Sequence, residues 1–140
     1  MTLTKLPKKP SALVKLALSD LNRVERSKGY TVDMKRFHSG GRTCRVCFAG
    51  AVMAKSLGLA KNETWLPGDF DREVRSALWA LDALRSGEVG EALEELEIEG
   101  HLNENDECDL DRKVTPYKVS PADFRADMRE LVRDLEEVGL

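Results

Sequence analysis

Apolar and polar positions along the chain fall into stretches of distinct period. The longest uninterrupted apolar run is 46–54, VCFAGAVMA, inside GGRTCRVCFAGAVMAKSLG. Such a run is long for a buried strand and far short of a bilayer span. A helix that is apolar on every side must be buried on every side. With Thr43 as an N-cap and Gly58 as a left-handed terminator, the expected helix covers 44–57. Its small residues, Ala49, Gly50, Ala51 and Ala54, let neighbouring helices approach, and Phe48, Val52 and Met53 fill the gaps.

The flanking patterns are amphipathic. Val14, Ala17, Leu18, Leu21 and Val24 recur at helical spacing, which predicts a first helix capped by Ser11 and reaching Ser27. Tyr30, Val32 and Met34 alternate with Thr31, Asp33 and Lys35, a short strand pattern. Ser39, Gly40 and Gly41 read as a turn, and 59–68 as a loop carrying Trp65 and Pro67. A long helix is expected over 69–86, with Phe70, Val74, Ala77, Leu78, Leu81 and Leu84 on one face and Trp79 beside it, partly covered. Residues 88–99 keep Val89, Ala92, Leu93, Leu96 and Ile98 among glutamates and read as a surface helix. After a long acidic loop over 102–119, Ser120 caps the last helix, with Pro121 at its first position and Asp123 completing an Asp version of the capping box. Phe124, Met128, Leu131, Val132, Leu135 and Val138 make its stripe.

The fold class that follows is mainly α: a compact helical domain of about five helices around a buried central helix, with at most one small β element. Residues 1–10 are expected to be a flexible tail, and 11–140 a single helical domain. At 140 residues the chain can bury a sizeable core without disulfides or metal. No apolar window approaches a membrane span, the start of the chain lacks the apolar core of a signal peptide, and three cysteines fit a reducing compartment. A cytoplasmic location is expected.

Charge changes this picture. The net charge of −3 conceals a division: residues 1–60 hold 12 Lys+Arg and 3 Asp+Glu, residues 61–140 hold 10 and 22. Between 82 and 111 stand 12 carboxylates and one basic residue, Arg85. An ordinary solvated face is one reading. The sharper one is an acidic surface for a basic partner, formed by Glu91, Glu94, Glu95, Glu97, Glu99, Glu104, Asp106, Glu107, Asp109 and Asp111.

Four signals could carry chemistry. Cys44 and Cys47 form C-x-x-C, with His38, His101 and Cys108 as further candidate ligands, but a structural zinc site normally has a second close pair, which the sequence lacks. A thioredoxin-like role needs a βαβ setting that the pattern does not predict. Cys44-Arg-Val-Cys47-Phe48-Ala49 resembles the cysteine region of papain-like peptidases, which would make Cys47 a nucleophile and His101 its base. The Gly-Ser of that signature is Arg45-Val46 here, and a helix starting at Thr43 would put Cys47 a turn inside. Asn103, Asn105, Glu107, Asp109 and Asp111 alternate oxygen ligands, yet Cys108 and Val114 stand where an EF-hand needs Gly and Glu. No cofactor or metal is therefore expected, and both C-x-x-C cysteines are expected to be structural.

The segment VCFAGAVMAKSLG, with Tyr-Thr-Val-Asp-Met before it and a Phe-Asp helix after it, resembles a class of small uncharacterised proteins of bacteriophages and prophages. The resemblance implies a phage setting, in the host cytoplasm, and supplies no catalytic residues. The expected function is that of a non-catalytic accessory protein binding a basic host protein, such as a restriction or CRISPR component, through the acidic face. The alternative is a cysteine-dependent hydrolase or transferase using Cys47 and His101. Neither membrane association nor direct nucleic-acid binding is expected, and a homodimer is compatible with the sequence.

Overall fold

A computed structural model describes residues 6–33, 36–96 and 113–140. Among them are five α-helices, α1 Pro10–Glu25, α2 Phe48–Ala54, α3 Arg72–Arg85, α4 Val89–Glu95 and α5 Pro121–Glu137, and three short strands, β1 Tyr30–Val32, β2 His38–Ser39 and β3 Cys44–Val46. The mainly α reading holds, and the β content is one small sheet.

The first helix begins one residue before its expected cap. Pro10 occupies the first turn, where its missing N–H costs no hydrogen bond and its fixed φ suits the helix. Ser11 is thus inside α1, and its hydroxyl donates to the Leu140 carbonyl oxygen at 3.0 Å, tying the start of α1 to the end of α5. Val14, Ala17, Leu21 and Val24 are buried as the period predicts, Leu18 is half-buried against them, and Leu13 joins the buried face.

The expected helix over 44–57 is corrected. Cys44–Val46 is a strand, with Cys44 and Val46 buried and Arg45 exposed between them. It is the middle strand of the order β1-β3-β2, parallel to β1 and antiparallel to β2. The apolar run therefore joins the end of a strand to a short helix. The polar Arg45 between two inward residues is the alternation that a search for helical period passes over. Thr43 does not cap α2. Cys47 does, its sulfur accepting from the Gly50 N–H at 3.4 Å. All seven residues of α2 are buried, and it packs against α1, α3, β2 and β3. At its far end the Leu57 N–H reaches back to the Val52 carbonyl and the Leu59 N–H to that of Met53, with Gly58 left-handed between them at φ 68°.

Gly50 is held closely by main chain: a Cβ there would overlap the Phe37 carbonyl oxygen. The tight approach is to the segment leading into β2, where the sequence alone suggests another helix. Phe48 meets Phe124 of α5 edge to face, ring centres 5.2 Å apart, and Tyr117 meets the same Phe124 at 5.5 Å. These rings join α2 to the C-terminal helix in one core.

Helix α3 starts three residues later than the pattern suggests. Pro67–Asp69 forms a turn of 3-10 helix, and Asp71 caps α3 by accepting from the Val74 N–H at 3.2 Å. Trp79 is 38% exposed, its neighbour ring being Phe37 at 5.5 Å. Helix α4 packs on α3, and Ser120 caps α5 by accepting from the Asp123 N–H, as its sequence predicts. Beyond Glu95, the glutamates and aspartates of 97–111, with His101 and Cys108, lie outside the described residues.

Candidate functional site

Two places bear on function, the acidic face of α4 and the thiols at the sheet. On α4, Val89, Ala92 and Leu93 are buried while Glu88, Glu91, Glu94 and Glu95 are not. The three inward residues suffice to hold one face on α3, and the glutamates occupy the rest. Spacings of three and four bring Glu91 next to Glu88, Glu94 and Glu95, and like charges at these spacings oppose the helix. Glu94 and Glu95 stand in the last turn, where the helix dipole favours cations, and no basic residue is there. The consequence shows on Glu91: its hydrogen bond with Glu88 and that residue's charge, followed by slight desolvation and the charges of Glu95 and Glu94, raise its pKa above the ordinary carboxylate value. At the edge of this region Arg85 pairs with Asp82 at 2.8 Å, so the one basic residue of the stretch is engaged by its own helix.

The thiols behave differently. Cys47 stands at a helix N-terminus, one turn earlier in its helix than a Thr43 cap would place it, but it is 1% exposed. Burial pushes its thiol up to about 11, outweighing the Gly50 N–H that favours the thiolate. A packed, protonated sulfur is a poor nucleophile. His101, its candidate base, lies outside the described residues.

The imidazole beside a thiol is His38. Its Nδ1 lies 2.8 Å from the Glu63 carbonyl oxygen, which can only accept, so Nδ1 carries the proton. Nε2 is then an acceptor, 3.6 Å from the Cys44 sulfur, which donates its S–H. Both side chains are buried, and desolvation lowers the His38 pKa and raises that of Cys44. The Trp65 N–H also bonds to the His38 carbonyl at 3.0 Å. His38 thereby fastens the 60–65 loop to the sheet, a structural duty for a residue whose sequence context suggests only a metal ligand. Among the described residues no group of three or more His, Cys, Asp or Glu is placed to hold a metal ion. The pair could be found only by reading Cys44 and Val46 as strand positions, since His38 faces Val46 in the ladder.

No protein-family model matches the sequence, and comparison with curated proteins and with solved structures finds no match. Among the described residues no helix is long and apolar enough to cross a membrane.

Proposed function

We propose that the chain acts by binding, with the α4 glutamates as part of a surface that docks on a basic protein. The observation that carries this reading is the placement of charge on α4. Glu94 and Glu95 oppose the dipole at the C-terminal end of α4, and both stand within one turn of Glu91, whose charge repels theirs, so the arrangement weakens the helix that bears it. A surface that keeps such a cluster gains from it elsewhere, and a cationic partner supplies the compensating charge. Glu97, Glu99, Glu104, Asp106, Glu107, Asp109 and Asp111 extend the acid in sequence. The phage resemblance of VCFAGAVMAKSLG makes a host protein, such as a restriction or CRISPR component, the class of partner to seek. In this reading the domain is built around α2, whose burial on all sides leaves the outer helices to carry function. The cysteine-enzyme alternative has no observation in its favour, because the Cys47 sulfur is packed.

The test is a paired capture from bacterial lysate by the wild type and by the variant with Glu88, Glu91, Glu94 and Glu95 replaced by Lys, read by mass spectrometry. A basic protein held by the wild type, released by salt and lost by the variant is the expected result. Identical captures by both proteins would defeat the proposal.

A further inference from the structure

The outer face of the small sheet is a second charged surface, opposite in sign to α4. Residues paired across a ladder project to the same side. In β3, Cys44 and Val46 face the core and Arg45 faces out, and the register sets Thr31 of β1 and Ser39 of β2 on either side of Arg45. A guanidinium flanked by two hydroxyls thus crosses the sheet. The Arg45 side chain is 58% exposed, and its ion pair with Asp33 is loose, at 4.0 Å.

The ends of the sheet extend the cationic character. Arg36 is exposed at one end, its N–H on the Asp33 carbonyl. There Phe37 packs edge to face on the half-open ring of Trp79. At the other end stand exposed Arg42, in the turn before β3, and exposed Lys61, whose chain lies against Gly29. The sheet packs its inner side on α1 and α2, while α4 packs on α3. The fold therefore separates the charges that the sequence averages. Among the described residues, the acid of the 82–111 surplus, Asp82, Glu88, Glu91, Glu94 and Glu95, lies on or beside α3 and α4 and not on the strands.

We propose that the outer sheet face binds the backbone of a single-stranded nucleic acid, with Arg45 at the centre, Arg36 and Arg42 on either side, and Trp79 offering a ring to a base. Arginine and hydroxyl side chains are the groups that hold phosphate oxygens. An exposed aromatic beside a cationic track is the further element that unpaired bases use, and that an acidic protein segment does not need. This surface is independent of α4, and the two together would let the chain engage a nucleic acid and a basic protein at once.

The test is fluorescence anisotropy with a labelled oligothymidylate of about 12 nucleotides, long enough for a short basic track. The wild type should bind with an affinity that falls with salt, and Arg42→Glu/Arg45→Glu should bind at least about tenfold more weakly. The milder Arg42→Gln/Arg45→Gln pair should lower the slope of log affinity against log salt by roughly 0.7 for each phosphate that is no longer neutralised. Trp79→Leu should weaken binding while leaving that slope unchanged. Lys15→Glu, a same-sign charge change on α1, should have little effect, and melts of all variants verify folding. No binding at low salt, an equal loss with Lys15→Glu, or stronger competition by a polyglutamate peptide than by unlabelled oligonucleotide would overturn the proposal.

Discussion

Helices α2 and α4 are each seven residues long, and they obey opposite rules. In α2 every residue is buried, the cap is a cysteine sulfur, and a glycine is required because main chain passes directly over it. In α4 three apolar residues hold one face down, and the exposed remainder carries like charges at spacings that destabilise a helix. Neither is long enough to be stable alone in water. Burial of all seven of its residues sustains the first. The second is held by its packing on α3 against its own electrostatics, which is why function is better sought there. The contrast separates residues that specify the fold from residues the fold tolerates.

The largest expected effect comes from overfilling α2. Gly50→Ala should destabilise by roughly 3 kcal/mol or more, because the atom it would strike is backbone and cannot rotate away. Phe48→Ala should cost about 3–5 kcal/mol by opening a void against Phe124. Urea titrations in which both variants match the wild type would show that α2 is not closely packed.

A smaller effect concerns the ring that fastens the 60–65 loop. Burial lowers the His38 pKa, so the folded chain keeps the imidazole neutral where the unfolded chain already binds a proton. Stability on this account is complete above the ordinary imidazole pKa near 6.5 and is lost as pH falls below it, down to the lowered folded value. The loss should amount to about 1.4 kcal/mol for each tenfold reduction in the proton affinity of the ring. Denaturation series between neutral and mildly acid pH should show the slope in the wild type and a flatter profile in His38→Gln. An unchanged slope would remove His38 as its source. Alkylation mapped by mass spectrometry should find Cys47 slow to react at neutral pH, given a thiol pKa of about 11. Rapid labelling would return it to consideration as a nucleophile.

The amphipathic elements are legible in the sequence because each repeats one period long enough to be unambiguous. The stripes of α1, α3 and α5 and the Ser120 cap fall where their apolar positions and cap chemistry place them, except that Val138, expected in the α5 stripe, stands just past the end of the helix and is exposed. The run from Val46 to Ala54 is not. It contains the end of a strand and the whole of a helix, both buried, so no polar residue inside it marks the boundary, and a cysteine cap resembles no ordinary N-cap signal. Misplacing that boundary hides the link between Cys44 and His38, which depends on the sheet. The acidic face is legible as composition, and the structure adds the orientation of Glu91, Glu94 and Glu95 on α4. The outer face of the sheet is invisible in the sequence because Thr31, Ser39 and Arg45 meet only through strand pairing.

The smallest expected effect on stability is at α4 itself. Because the folded state holds the Glu91 proton longer than the unfolded state does, this group makes stability fall as pH rises from the ordinary carboxylate pKa to the raised one. Replacing Glu94 and Glu95 by Lys removes like charge and places cations at the end of the helix that favours them. The melting temperature at neutral pH should hold or rise slightly, and a clear fall would show that these glutamates have structural partners and are not kept for binding.

The most direct test of that account is the association rate of the chain with its captured basic partner as salt is raised from about 0.01 M to 0.15 M, where the screening length contracts from about 30 Å to about 8 Å. Steering by the α4 glutamates predicts a steep fall in rate for the wild type and a slower, nearly flat profile for the Lys variant. Rates that are equal in the two proteins and indifferent to salt would contradict it.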